Sequence, residues 1–263
     1  MITALILLFT LLGTLFLLPP DATAVAFGLV AALAAWEWAG LMRIDSAGRV
    51  FYAAFLLLLC WQIHAAGVFA FLFFCGGSAL FWVLFAPLWL RSRWTMVGND
   101  FLGYALGLLL IGATWAAMVA LHGRSPWLLL GILSLAWVSD IAAYFAGRAF
   151  GRHKLAPRIS PGKTWEGVAG AVVGVTAYAL VVLVATGYIS AASPEYLLAG
   201  ALLLLVVTAI GIVGDLFESL IKRQADVKDS SQLLPGHGGI LDRIDSQIAI
   251  LPFAALILYW SGK

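Results

Sequence analysis

Leu197 to Gly214 reads LLAGALLLLVVTAIGIVG, and the residues that follow, Asp215 to Arg223, read DLFESLIKR. Eighteen residues without a charge run straight into two acids and two bases. A helix of that apolar length matches the hydrocarbon core of a bilayer, which needs about 20 residues. Beyond it, Ser219 to Ser246 (SLIKRQADVKDSSQLLPGHGGILDRIDS) is crowded with ions and glycine, and then IAILPFAALILYW turns apolar again. The fold therefore depends on whether the rest of the chain is equally oily, and the function on what keeps these ions together.

The rest of the chain is as oily. Of 263 residues, 63% are hydrophobic and 11% charged, against roughly 25% charged in a soluble domain. Lipid must solvate much of the surface. A net charge of +2 argues against a nucleic-acid partner. Cys60 and Cys75 lie in apolar runs and form neither a disulfide framework nor a metal spacing. The first residues, MITALILLFTLLGTLFLLPP, read as a retained span rather than a cleaved leader.

Nine apolar stretches are candidate spans: 2–18, 22–42, 50–66, 67–90, 101–121, 126–150, 166–188, 195–221 and 240–260. Backbone groups in lipid must be satisfied within each segment, so the expected fold is an all-α polytopic membrane protein. With the N-terminus inside, thirteen of the fifteen Lys and Arg fall on the cytoplasmic side, and only Arg124 and Lys263 fall outside. The positive-inside rule selects N-in, C-out. The outer loops, such as PPDA and YISAASPEY, are short. Trp89, Trp94, Trp127, Trp165 and Trp260 lie near span ends as interfacial anchors. Gly170 and Gly174 suit close helix packing.

An ion at the bilayer centre costs about 2.5–3.5 kcal/mol even on lenient insertion scales. Six acids nonetheless sit in or beside spans: Glu37, Asp140, Asp215, Glu218, Asp242 and Asp245. Asp215 and Glu218 share a helix face, as do Asp242 and Asp245, and Asp140, Tyr144 and Arg148 follow at intervals of four. Glu218 can pair with Lys222, which would merely brace the bundle, and Glu37 reads as a helix-packing residue. Asp215 and Asp242 are harder to explain as braces. Clustered carboxylates suit a hard cation such as Mg²⁺, which takes one or two of them and leaves other positions to water and phosphates.

Between these acids, Gly236, Gly238 and Gly239 flank His237 in a loop that opens into the last helix. Glycines permit close backbone approach, and a helix start offers free N–H groups to phosphate. Lys222, Arg223, Lys228 and Arg243 surround the loop. Upstream, RHKLAPRISPGKTWEG places Ser160, Pro161 and Gly162 as a turn ahead of Lys163, a candidate phosphate contact. Thr164 is positioned to cap the next helix, although Gly167 stands where a capping box would carry Glu.

The stretch from Ser219 to Asp245 resembles the signature of phosphatidate cytidylyltransferases, also called CDP-diglyceride synthases. Its fixed elements are Ser219, Lys222-Arg223, Lys228-Asp229, PGHGG over 235–239 and LDRID over 241–245. SPGKTWEG (160–167) and DIAAYFAGR (140–148) are similar to two further motifs of the family. The resemblance implies an Mg²⁺-dependent reaction of phosphatidic acid with CTP to give CDP-diacylglycerol and pyrophosphate. It implies a homodimer in the inner (cytoplasmic) membrane and a second, monovalent cation such as K⁺. Asp215, Asp242 and Asp245 would bind metal and act in catalysis with Lys222, Arg223 and His237. Ser160, Lys163, Lys228, Asp229, Gly236, Gly238, Gly239, Arg243, Asp140 and Arg148 would contact substrate. Residues 1–130 would form the scaffold and 131–263 the catalytic part. A polyprenol-type CTP-dependent lipid kinase and a cation-coupled secondary transporter are the alternatives. Pyrophosphate release separates the first, and ion-driven flux without CTP consumption would mark the second.

Overall fold

The computed structural model describes residues 2–96, 100–187 and 194–262, so the connection at 188–193 and Lys263 lie outside the described residues. Ten α-helices follow in order: α1 (Ile2–Leu17), α2 (Pro20–Leu41), α3 (Ser46–Ala66), α4 (Val68–Leu80), α5 (Ala86–Ser92), α6 (Asp100–Arg124), α7 (Pro126–Phe150), α8 (Trp165–Ala185), α9 (Pro194–Gln224) and α10 (Leu241–Trp260). A π-helical segment, Phe81–Phe85, joins α4 to α5 into one rod. Pro87 lacks an N–H, and just before it the ladder slips to a five-residue step, Ala86 N–H donating to the Phe81 carbonyl.

Among the described residues seven helical rods are long and apolar enough to cross a membrane: Pro20–Leu41, Ser46–Ala66, Val68–Ser92, Phe101–Arg124, Pro126–Phe150, Trp165–Ala185 and Pro194–Gln224. The first and last of the nine expected spans are the weaker cases. α1 is 16 residues long, and α10 carries Asp242, Arg243 and Asp245 in its opening turns. Large apolar side chains point outward all over the bundle, among them Leu17 at 83%, Phe69 at 83% and Phe101 at 84% exposure. A water-facing protein could not hold such a surface, and lipid can.

Local chemistry sets the boundaries. Pro20 and Pro126 begin helices where an N–H would be unpaired anyway. The Asp45 carboxylate accepts from Gly48 N–H at 3.3 Å to start α3. The break between the stretches 50–66 and 67–90 falls at Gly67, whose φ of 66° admits glycine readily and ends α3.

α6 and α10 lie at the centre. α10 packs on α9, α6, α4 and α7, and α6 also on α2, α3 and α4, while α8 is held mainly by α7. One apolar core runs from Leu15 to Ala255, so residues 1–130 and 131–263 share it. Gly170 and Gly174 do let α7 and α8 approach closely: a Cβ on Gly174 would lie 2.5 Å from Ala142 Cβ, and one on Gly170 would strike Ala146.

The fold departs from all-α in one place. β1 (Lys154–Ala156) pairs antiparallel with β2 (Ser160–Thr164), Lys154 opposite Thr164 and Ala156 opposite Ser160. The turn is at 157–159, not at Ser160–Gly162 as expected; Ser160, Pro161 and Gly162 are strand. Pro157 opens the turn, and Ile159 drops into the core at 6% exposure, which fixes the register one step earlier.

Candidate active site

The hairpin positions Lys163. Its second strand runs into α8 through Thr164, whose hydroxyl accepts from Gly167 N–H at 3.1 Å as the expected N-cap. Glu166 reaches back to His153, accepting from its N–H at 3.2 Å and meeting its Nδ1 at 2.7 Å, and so ties the hairpin base to the helix. Lys163 Nζ is thereby delivered to the Asp215 carboxylate of α9 as an ion pair, though without good hydrogen-bond geometry.

Around that pair lies a cavity of about 400 Å³. α7 lines it with Asp140, Tyr144 and Arg148, the hairpin with Ser160, Gly162, Lys163 and Thr164, and α9 with Asp215. Arg148 donates to the Tyr144 hydroxyl at 3.1 Å along the i, i+4 spacing read from the sequence. Asp140 feels Asp215, Lys163 and Arg243, and Asp245 feels Asp215, Glu218 and Asp140. Asp245 of α10 is thus in electrostatic reach of Asp215 and Glu218 on α9 and of Asp140 on α7. Gly214 allows the close α9–α10 contact, since a Cβ there would lie 2.8 Å from the Asp245 carbonyl.

Asp242 is not among the residues lining this cavity. It belongs to a second network. Lys222 Nζ donates to Asp242 Oδ1 at 2.5 Å and to Glu218 Oε2 at 2.7 Å, and all three side chains are largely buried. Asp242 Oδ2 accepts from Ser230 N–H (2.9 Å), Ser230 Oγ (2.9 Å) and Gly239 N–H (2.8 Å). The donors at the start of α10, expected to be free for phosphate, are therefore taken by protein carboxylates. Glu37 accepts from Ile240 N–H at 2.9 Å and Leu241 N–H at 2.7 Å.

The remaining residues of the signature lie on the loop and at the helix ends that flank it. Gly236 and Gly238 have φ of 74° and 78°, a conformation that favours glycine, and Leu234 N–H donates to the Gly238 carbonyl at 2.9 Å. His237 Nδ1 is 3.3 Å from the Pro235 carbonyl. Arg223 donates to the Val227 carbonyl at 3.2 Å, and Lys228, Asp229 and Arg243 are exposed. The structure thus gathers Asp140, Arg148, Ser160, Lys163 and Asp215 round one cavity. It leaves Arg223 in the last turn of α9, and Lys228, Asp229, Gly236 and His237 on the loop that follows, outside it.

Among the described residues no three His, Cys, Asp or Glu side chains stand as a ready ligand set. The donors nevertheless fit a hard cation. Asp140 and Asp215 line the same cavity, Asp245 adds charge, and the buried Glu218 Oε1 has no hydrogen-bond partner among the described residues. Mg²⁺ takes one or two protein carboxylates and fills its shell with water and phosphate.

Sequence reasoning gave Glu37 to helix packing and passed over Ser230 and Ser231. Glu37 is 1% exposed and meets both serine hydroxyls, at 3.0 and 2.6 Å. Its signal was present: a lone acid inside an apolar span must find donors somewhere.

A helical membrane bundle with acids, a lysine and an arginine converging on a cavity is the architecture of an enzyme that handles phosphates at a lipid interface. The cytidylyltransferase family model matches residues 1–261, and the chain belongs to that family. It is 40% identical to the phosphatidate cytidylyltransferase of Pseudomonas aeruginosa, over 99% of this chain and 96% of that protein. It is 35% identical to the enzyme of that name from Haemophilus influenzae over 98% and 97%, and 37% identical to the one from Bacillus subtilis over 77% and 76%.

Proposed function

We propose that this protein is a phosphatidate cytidylyltransferase, joining phosphatidic acid to CTP to form CDP-diacylglycerol and pyrophosphate in phospholipid synthesis. One observation carries the reading. In a chain matching such enzymes end to end, two motif regions, 140–148 and 160–167, together with Asp215 of α9, just ahead of the signature, supply Asp140, Ser160, Lys163 and Asp215 to a single cavity.

The reaction joins two anions. An oxygen of the phosphatidate phosphate forms a bond to the α-phosphorus of CTP while the α–β bridging P–O bond breaks, its electron pair leaving with pyrophosphate. A phosphate monoester has its second pKa near 6, so at neutral pH it is largely a dianion and needs no strong base. The chain's task is alignment and charge neutralisation. Lys163 and Arg148 would hold phosphate oxygens in the cavity, with Ser160 donating to them. Lys222 would keep Asp242 ionised and in place, while Arg223, Lys228 and Arg243 at the loop would draw CTP and pyrophosphate. His237 would position a phosphate, and the backbone of Gly236, Gly238 and Gly239 would let it come close. Asp140 and Asp215, with the charge of Asp245 beside them, would hold Mg²⁺, which would supply positive charge to the phosphates of CTP, whereas Asp242, expected as a ligand, is held by Lys222, Ser230 and Gly239 outside the cavity. The surplus acid charge also suits a monovalent cation such as K⁺.

The reading places the chain in the inner membrane with nine spans, N-in and C-out, the cavity opening to the cytoplasm where CTP is found. A homodimer through the helices of residues 1–130 completes it. Purified protein incubated with phosphatidate, Mg²⁺ and α-labelled CTP should put label into the organic phase. Label reaching lipid only from γ-labelled CTP would replace the reading with the lipid kinase.

A further inference from the structure

Glu37 is the most deeply buried acid among the described residues, on a helix that contributes nothing to the cavity lining. Its carboxylate meets four donors that lie 193–204 positions further along the chain. Oε1 accepts from Ser231 Oγ at 2.6 Å and Ile240 N–H at 2.9 Å. Oε2 accepts from Leu241 N–H at 2.7 Å and Ser230 Oγ at 3.0 Å. Together these donors bracket the signature loop: two hydroxyls where it leaves α9, two amides where it enters α10.

We infer that Glu37 is a positioning residue for nucleotidyl transfer, an anchor in α2 that closes the 230–241 loop and thereby sets Asp242 and Lys222; this rests on the function proposed above. Ser230 Oγ has one proton and two carboxylate neighbours, Glu37 Oε2 at 3.0 Å and Asp242 Oδ2 at 2.9 Å. The two acids therefore share a donor, and any shift of Glu37 is felt at Asp242, whose other oxygen holds Lys222. Two backbone amides and the positive end of α10 compensate the Glu37 charge from one side, as a capping carboxylate does. Gly239 is part of the same device. A Cβ there would lie 2.6 Å from both Glu37 oxygens and would strike Ser230 Oγ, so glycine is needed for the loop to close on the acid.

The test uses purified full-length Glu37→Gln, Glu37→Asp and the double variant Ser230→Ala/Ser231→Ala. Glutamine keeps one acceptor oxygen and turns an NH₂ toward donors. Charge-assisted hydrogen bonds are worth about 1.5–3 kcal/mol net, which is a fall of roughly 10- to 100-fold in kcat at 1.4 kcal/mol per decade. KM for CTP and phosphatidate should move far less, because Glu37 does not line the cavity. Glu37→Asp should recover part of the lost rate, since it keeps the charge on a shorter stem. A readout free of the assay is amide hydrogen exchange. In Glu37→Gln, exchange at Ile240 and Leu241 should rise by about the same factor while α6 keeps its protection. Protection at those two amides equal to wild type would overturn the anchor. Kinetics unchanged from wild type, with faster exchange, would overturn its role in positioning. If Glu37→Gln cannot be purified, the serine double variant decides: it should lower kcat several-fold with KM kept, and wild-type kcat would sink the proposal. Wild-type protein that makes no CDP-lipid refutes the proposed function alone, leaving exchange to judge the anchor.

Discussion

Lys222→Met should unfold the protein more readily than Asp242→Asn, although both should silence it. Lys222 stands between Glu218 at 2.7 Å and Asp242 at 2.5 Å, with side-chain exposures of 12%, 7% and 7%. Removing the one cation leaves two buried carboxylates facing each other. Stranding one partner of a buried pair costs about 3–5 kcal/mol. The second acid can escape by taking up a proton, so the same range serves as the estimate for both. Asp242→Asn is milder. Lys222 keeps Glu218, and the amide oxygen can still accept from Ser230 N–H and Gly239 N–H, so the loss is about 1–3 kcal/mol. For a chain of this size, about 2–4 °C of thermal midpoint goes with each kcal/mol. Lys222→Met should therefore fall by roughly 6–20 °C, and Asp242→Asn by half that or less. The chain carries its own probe: Cys60 and Cys75 are both buried, so a thiol-reactive fluorogenic dye in detergent reports unfolding as they emerge. Adding Glu218→Gln to Lys222→Met should restore several degrees by removing one stranded acid. A Lys222→Met midpoint within a degree of wild type, or below it by less than that of Asp242→Asn, would refute the argument. Near-normal CDP-lipid synthesis by Asp242→Asn would refute its place in the site.

Three further outcomes are expected. Gly214→Val should push α10 off α9, because even a Cβ meets the Asp245 carbonyl at 2.8 Å and Ala249 Cβ at 2.9 Å; overpacking of this kind costs about 1–3 kcal/mol, and kcat should drop more than tenfold as Asp245 moves from Asp215. Thr164→Ala removes the α8 cap, about 1 kcal/mol, and by loosening the strand that carries Lys163 should raise KM for CTP several-fold, read from initial rates. His237→Ala should lower the rate by a factor that stays nearly constant from pH 6 to 9, since the attacking phosphate is already a dianion; a loss that raising the pH steeply repairs would make His237 a base.

The helical rods were legible because lipid imposes a simple rule: apolar runs near 20 residues must become helices. The break at Gly67 and the cap at Thr164 were legible for the same local reason. The hairpin was not. Lys154 to Thr164 has two prolines, no clean alternation and strands of three and five residues, so its only reliable cue was Ile159, an apolar residue in a basic loop that needed somewhere to be buried. The four-residue stripe of Asp140, Tyr144 and Arg148 was correctly read as one face of α7. The partners of Glu37 were not legible because half are backbone amides, which any sequence supplies, and all lie more than 190 residues away. The α10 N-terminus was misjudged by the same omission: its free donors were counted without the acid that takes them.

The arrangement of charge has a consequence for how the halves of the chain depend on each other. Glu218 pairs with Lys222 within α9, while three deep acids draw partners from a different segment: Asp215 from the hairpin lysine, Asp242 from Lys222 and the loop, Glu37 from the loop and α10. Such pairs cannot form until distant segments have met, so the polar site is specified by assembly of the bundle and not by any one helix. The remaining charge is uneven. Lys163 pairs with Asp215 and, with Arg243, lies in electrostatic reach of Asp140, but Asp245 has mostly other acids as its neighbours, and Glu218 Oε1 has no hydrogen-bond partner among the described residues. An excess of negative charge held beside a cavity is costly in a membrane unless something positive completes it.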